Sequence, residues 1–244
     1  PLYNTPSRNV ESGDVLKKIV TLYAVTEEWV AGIPYFTESM NNSRDATDRT
    51  TAAAYLIIAQ AQNGDFEDLD KALDFLQTPS PVFFSTRFNL ALMNVADKMR
   101  ENGNLPMANL LYRFMRDYET LQDGLSRYID AFERIVNRLQ GNALRRNEFM
   151  SVKAQLDNAR EDLKALSSIE TYTPILQWKI GQCLMGMGRD WEAFWLFHRM
   201  AELYPNHKNA EDILYLAYSL AYKLNAYEMM EPLALRYLEN NQFF

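Results

Sequence analysis

Residues 174–206 read PILQWKIGQCLMGMGRDWEAFWLFHRMAELYPN, and the punctuation of this stretch decides the fold. Gly181 and Ala193 are the small residues of two successive apolar helical segments, so two antiparallel helices can approach closely there. Phe197, one turn beyond Ala193, fills the space beside them. Gly188 stands between the segments, where a residue tolerant of positive φ ends the first helix. Pro205 follows Tyr204 and stops the second, because proline lacks the N–H and clashes with the preceding turn. The segment is predicted to be a helix, a tight turn and a second helix.

Ile180-Gly181, Leu184, Ala193, Phe197 and Pro205 keep the spacing W-x2-LG-x2-Y…A-x3-F…P, so the segment resembles the tetratricopeptide repeat (TPR) family. Two positions depart from that pattern. Gln177 holds the signature Trp place, with Trp178 one residue late, and Leu184 replaces the usual Tyr. The template shifted by 37 residues lands on 211–240. There Tyr215, Ala217, Tyr218 and Ala221 belong to the first helix, Asn225-Ala226-Tyr227 replaces the turn, and Met230, Ala234 and Tyr237 face inward on the second. The junction Tyr204-Pro205-Asn206 through Ala210-Glu211 is similar in style to bacterial envelope TPR proteins such as the outer-membrane assembly lipoprotein and the Tol-Pal accessory protein.

Upstream the repeats are degenerate. Residues 87–116 show Ala96, the turn Asn102-Gly103-Asn104, then Ala108 and Tyr112 at the small and aromatic positions. Residues 50–76 keep the turn Asn63-Gly64-Asp65-Phe66, but Leu69 and Leu73 stand where Ala and an aromatic belong. Thr78-Pro79-Ser80-Pro81 closes that pair. Residues 12–40 form another expected pair, with N-cap chemistry at Ser12-Gly13-Asp14 and a break near Gly32-Ile33-Pro34. Asn41–Asp48 is expected to be a polar connector.

The middle of the chain, 121–166, does not follow the repeat. Leu121, Leu125, Tyr128, Phe132, Ile135 and Leu139 advance by fours and threes, as do Phe149, Val152, Leu156, Ala159, Leu163 and Leu166. Gln140-Gly141-Asn142 separates the stripes. Two long helices folded into an αα-hairpin fit better than one broken helix, since extending the first stripe would put Asn142, Arg146 and Lys153 on its apolar seam. Arg127, Arg134, Arg138, Arg145 and Arg146 among Asp130, Glu133 and Glu148 read as a solvated face.

Composition agrees with helices. The 244 residues hold only nine glycines and nine prolines, and a net charge of −7 opposes general attraction to nucleic acid or anionic lipid. One cysteine, Cys183, cannot form an intramolecular disulfide, and its apolar helical neighbours make it a buried thiol. No apolar run is long enough to span a membrane. No G-x-G-x-x-G, P-loop, HExxH, C-x2-C or Ser elbow occurs, and His198 and His207, nine residues apart across a helix end, read as polar side chains meeting water, so neither enzyme chemistry, a metal nor a cofactor is expected. The tryptophans Trp191 and Trp195 read as core packing.

The resemblance implies an all-α superhelix of stacked antiparallel helix pairs, 1–244 forming one repeat domain with the longer hairpin in its middle. Its first helices would line a concave groove that holds a protein or peptide partner. Carried over by position, the groove residues are Trp178, Lys179 and Gln182, then Asp212, Tyr215, Ser219, Tyr222 and Lys223, with Asn94 and Asp97 earlier. Trp178 is the expected recognition platform. A second expectation is an assembly role, because Leu233, Leu235, Tyr237, Leu238, Phe243 and Phe244 give an apolar end that could pack on further repeats or on another copy. A helical-repeat enzyme is a distant third. The junction style, with the absence of an initiating Met, points to a bacterial extracytoplasmic setting.

Overall fold

The computed structural model describes residues 12–66, 68–77, 80–141 and 143–239, and no strand occurs among them. The helices are α1 (Ser12–Val25), α2 (Trp29–Asn42), α3 (Ala46–Asn63), α4 (Leu69–Asp74), α5 (Thr86–Glu101), α6 (Leu105–Phe114), α7 (Tyr118–Leu139), α8 (Arg146–Ser167), α9 (Thr173–Gly186), α10 (Asp190–Leu203), α11 (Ala210–Lys223) and α12 (Met230–Glu239). By packing, the chain falls into two compact units. One comprises the chain up to Asn94 with Thr120–Ile169; the other comprises Val95–Glu119 and the chain from Glu170 onward.

Backbone sign reveals a period that residue identity hides. Among the described residues, positive φ occurs at Glu27 (60°), Gly64 (74°), Gly103 (77°), Gly141 (84°), Gly188 (72°) and Asn225 (57°). Gly141 belongs to the turn after α7. The other five each stand between the two helices of a pair: α1/α2, α3/α4, α5/α6, α9/α10 and α11/α12. Their spacings are 37, 39, 85 and 37 residues, and without the 50 residues Thr120–Ile169 the long interval becomes 35. The turns also share their bonding. Asn104, Arg189 and Ala226 each donate N–H to a carbonyl five residues back, at 2.8–2.9 Å, as a left-handed residue at a helix end allows.

In the first unit α3 is buried on nearly every side, with Ala52–Ala54 and Leu56–Ala59 fully or almost fully enclosed, as expected of a helix without a polar face. It packs against α2 and α4. Asp45 caps α3 by accepting from the Asp48 N–H at 3.0 Å, and that bond holds its carboxyl below the usual aspartate range. Here the structure corrects two boundaries. The first pair breaks at Glu27, not at Gly32-Ile33-Pro34: Pro34 lies inside α2, where it has no N–H to give the carbonyl four residues back, that of the exposed residue Val30. The connector after α2 is only Ser43–Asp45, because Asp45 caps α3, which begins at Ala46, four residues before Thr50. Thr78, Pro79 and Asn142 lie outside the described residues.

The hairpin reading fits the backbone. α7 and α8 are each 22 residues long, and Arg160 pairs with Glu133 at 2.8 Å. In one continuous helix these would stand about 40 Å apart at ~1.5 Å per residue, so the chain reverses between them. Both apolar stripes are buried or partly buried along their whole length. Their base is anchored twice. Gly124 leaves room for the Phe84 ring, which a Cβ would overlap, and Asp162 of α8 accepts the Thr86 N–H at the start of α5 at 3.1 Å while its own carbonyl accepts the Thr86 hydroxyl at 2.9 Å.

In the second unit α9 packs on α6 and on α10, α10 on α11, and α11 on α12. The core runs through Leu184, Ala193, Phe194, Phe197, Met200, Ile213, Ala217 and Leu233. Gly181 does what its position predicts: a Cβ there would overlap the Phe197 ring. The ends of the 120–169 excursion meet within this unit, where Thr173 Oγ1 accepts the Tyr118 N–H at 2.9 Å, Thr171 donates to Glu119 at 2.9 Å, and Tyr172 donates to the Arg116 carbonyl at 2.8 Å. The Tyr118 and Tyr172 rings meet edge to face. Burial, ahead of the nearby Asp117 and Glu119 charges, pushes the Tyr172 hydroxyl well above the usual tyrosine range.

Candidate functional site

The groove candidates of the second unit divide into two sets. The first is occupied by its own neighbours. Lys179 on α9 places its ammonium 2.5 Å from both oxygens of Asp97 on α5, with only 17% and 28% of the two side chains exposed. Tyr112 of α6 is fully buried, donates its hydroxyl to Asp97, and lies with its ring centre 5.9 Å from the Lys179 ammonium. Burial, then the Asp97 acceptor, drives the Tyr112 hydroxyl far above its ordinary range. One turn further along, Arg100 donates to the Gln182 side-chain oxygen at 3.2 Å.

This network makes physical sense as a tie between α5, α6 and α9. A cation removed from water needs a carboxylate at contact distance and further hydrogen bonds to offset desolvation, and Asp97 accepts from both Lys179 and Tyr112. Beside it lies a shallow cleft of about 250 Å³, lined by Arg100, Leu105, Gln182, Met185 and Leu216. Leu105 reaches it because Gly186 has no side chain; a Cβ there would come within 2.5 Å of Leu105 Cδ1. Cys183 is fully buried nearby and its thiol is raised by burial, so it is the inert thiol the sequence suggests. Trp178 is partly buried, its indole edge-on to Phe197 with ring centres 5.5 Å apart.

The second set faces water. On α11 the residues Ile213, Leu214, Ala217, Leu220 and Ala221 point into the core. Asp212, Tyr215, Ser219 and Tyr222 follow at intervals of three, four and three, which keeps them on one other face of the helix. Tyr215 is 66% exposed and Tyr222 64%. Ser219 is partly buried. Lys223 pairs with Asp190 at 2.7 Å. Asn94 is exposed and belongs to the other unit.

Sequence reasoning misplaced one aromatic pair. Trp191 and Trp195 are more than half exposed instead of packed in the core. Each stands two residues from Ala193, about 200° around the helix at 3.6 residues per turn, while Phe194 between them is fully buried and touches both indoles edge to face. That angular offset was the signal available in the sequence. No group of three or more His, Cys, Asp or Glu capable of holding a metal occurs among the described residues. No described helix is long and apolar enough to cross a membrane.

No protein-family model and no curated protein sequence matches the chain.

Proposed function

We propose that the protein is a non-enzymatic interaction scaffold: a TPR-like superhelix of five helix pairs, interrupted by the α7–α8 hairpin, that binds a protein or peptide segment along its first helices. The repeat reading is supported by the five left-handed turns at intervals of 35–39 residues once the hairpin is removed, close to the ~34-residue TPR period. The binding reading is carried by one observation. Two large aromatic side chains, Tyr215 and Tyr222, stand about two-thirds exposed on one face of a first helix, where rigid rings with a polar tip are well suited to contact. The Lys179–Asp97–Tyr112 network then shapes the neighbouring surface and is not itself the contact.

The test is site-specific photo-crosslinking from positions 191, 195, 215 and 222 in turn, followed by affinity measurement on the partner recovered. Tyr215→Ala with Tyr222→Ala should weaken that partner at least tenfold with the melting temperature unchanged. Equal affinity in the double variant, or crosslinks obtained only from Trp191 and Trp195, would refute the assignment. A second reading is favoured by α12, whose Leu235 and Leu238 are exposed at the end of the stack. It would pair there with further repeats or another copy. Light scattering on Leu238→Glu decides it, since an assembling end would lose its concentration-dependent mass; Phe243 and Phe244 lie outside the described residues.

A further inference from the structure

The chain is acidic on average, but its charge is not spread evenly. Between Arg134 and Lys153 five basic residues accompany one acidic residue, a net +4, so the remainder of the −7 chain carries −11. This stretch is the tip of the α7–α8 hairpin, the end away from the Phe84 and Thr86 anchors. Arg145 is neutralised locally by a two-pronged contact with Glu148, at 2.7 and 2.6 Å. Arg134, Arg138, Arg146 and Lys153 are all exposed and have no ion-pair partner among the described residues. Arg134 and Arg138 are one turn apart on α7, and Arg146 and Lys153 two turns apart on α8, so each pair shares a helix face.

At the apex the pattern reverses. Leu144, in the short turn between the helices, is 98% exposed, and Met150, one turn into α8, is 57% exposed. A solvated charged face does not explain two large apolar side chains held in water at the point where the chain turns. An apolar apex inside a basic collar does: the apolar groups enter the acyl boundary while long Arg and Lys side chains reach headgroup phosphates. At ~1.5 Å per residue the collar lies within about 10 Å of the apex along each helix, close to the ~8 Å screening length at physiological salt. A nucleic-acid backbone would engage the cations but leave Leu144 and Met150 without a role. We propose that the hairpin tip docks on an anionic lipid surface, with Leu144 and Met150 inserted and Arg134, Arg138, Arg146 and Lys153 on the headgroups.

The experiment is co-sedimentation of the full chain with vesicles of phosphatidylcholine alone and with 30% phosphatidylglycerol, at low and high salt. Binding is expected only to the anionic vesicles and should decline as salt rises. Arg138→Gln with Arg146→Gln should lower the partition coefficient about 25-fold, at roughly fivefold per basic residue near a charged surface. Leu144→Ser with Met150→Ser should lower it at least fivefold without changing its salt dependence. Circular dichroism and melting temperature should match the wild type in both variants, because all four side chains are exposed. No sedimentation with anionic vesicles, equal sedimentation with neutral ones, or undiminished binding by either folded variant would overturn the proposal. So would binding of duplex RNA or polyglutamate through the same arginines while vesicles stay unbound, which would assign the tip to another polyanion.

Discussion

Gly181→Ala is the substitution on which the packing of the second unit can be tested most sharply. In an exposed helix this change adds about 1 kcal/mol of stability through propensity. Here the added carbon would lie 2.7 Å from Phe197 Cε1 and 3.0 Å from Cε2, and nearer still to Cζ. Carbon atoms pack best at about 3.5–4.0 Å, so the ring must retreat by roughly 1 Å. It has little freedom to do so, being fully buried with the Trp178 indole against it. Overpacking of this kind costs about 1–3 kcal/mol; set against the propensity gain of about 1 kcal/mol, it leaves a net loss of about 0–2 kcal/mol. Urea denaturation followed by tryptophan fluorescence is the assay, since Trp178, Trp191 and Trp195 all report on this unit. Phe197→Leu alone should destabilise by opening a cavity. Combined with Gly181→Ala it should be no worse than Phe197→Leu by itself, a favourable coupling at least as large as the loss caused by Gly181→Ala alone. Gly13, with nothing within 4 Å of a Cβ, is the control, where Ala should be neutral or stabilising. If Gly181→Ala behaves like Gly13→Ala, Phe197 is not the wedge described and the close-packing argument for the repeat fails.

Four further outcomes follow from particular contacts. Asp97→Ala should destabilise the second unit by about 1–3 kcal/mol, because it leaves the mostly buried Lys179 ammonium and the Tyr112 hydroxyl without their acceptor; a loss under 0.3 kcal/mol in urea melts would show that water replaces it. Asn104→Ala should cost about 1 kcal/mol, since its side chain accepts the Met107 N–H at 3.3 Å and caps α6. Tyr112 and Tyr172 both have hydroxyls raised above the ordinary value of about 10. A raised folded value means their stabilisation is complete below that pH and is lost above it, so alkaline unfolding should set in above about pH 10, with the tyrosinate absorbance of both appearing only as the unit unfolds. Asp162 is raised mainly by burial, opposed by the Thr86 N–H. It therefore weakens the fold as pH rises through its folded value, and Asp162→Asn should be neutral or stabilising at pH 7, whereas Asp162→Ala should destabilise by about 1 kcal/mol by leaving the Thr86 N–H unpaired.

The helices of 174–206 were readable because their stops are chemically explicit. Gly188 turns left-handed where predicted, and α10 ends at Leu203, just before Pro205. The first pair was harder because its left-handed residue is Glu27, a type that carries no turn signal, while Pro34, a strong breaker, is accommodated inside α2. Of the site, the outward face of α11 follows from helical spacing alone. The engagement of Lys179 and Gln182 does not, because Asp97 and Arg100 are each 82 residues away in the chain. No local pattern encodes a partner at that distance.

On the repeat reading proposed above, the same separation accounts for the interruption between Gly103 and Gly188. A stack of helix pairs draws its stability from each pair and its nearest neighbour, so α9 needs only α6 beside it, not α6 before it in sequence. The excursion that separates them costs loop-closure entropy, which grows slowly: doubling a loop adds only ~0.6 kcal/mol. Against this stand the bonds that join its two ends, Tyr118 N–H to Thr173, Thr171 to Glu119 and Tyr172 to the Arg116 carbonyl, each contributing about 0.5–1.5 kcal/mol. These bonds offset much of that closure cost within the second unit. Replacing Thr120–Ile169 by a short Gly/Ser linker should leave the second unit folded, with Gly103 and Gly188 now separated by an ordinary repeat length. Thr173→Val in that shortened chain should cost no more than in the intact one, because the loop whose ends it helps to join has become short. If the shortened chain fails to fold while the intact chain is stable, the hairpin belongs to the structure of the stack itself, and the nearest-neighbour account of the repeats is wrong.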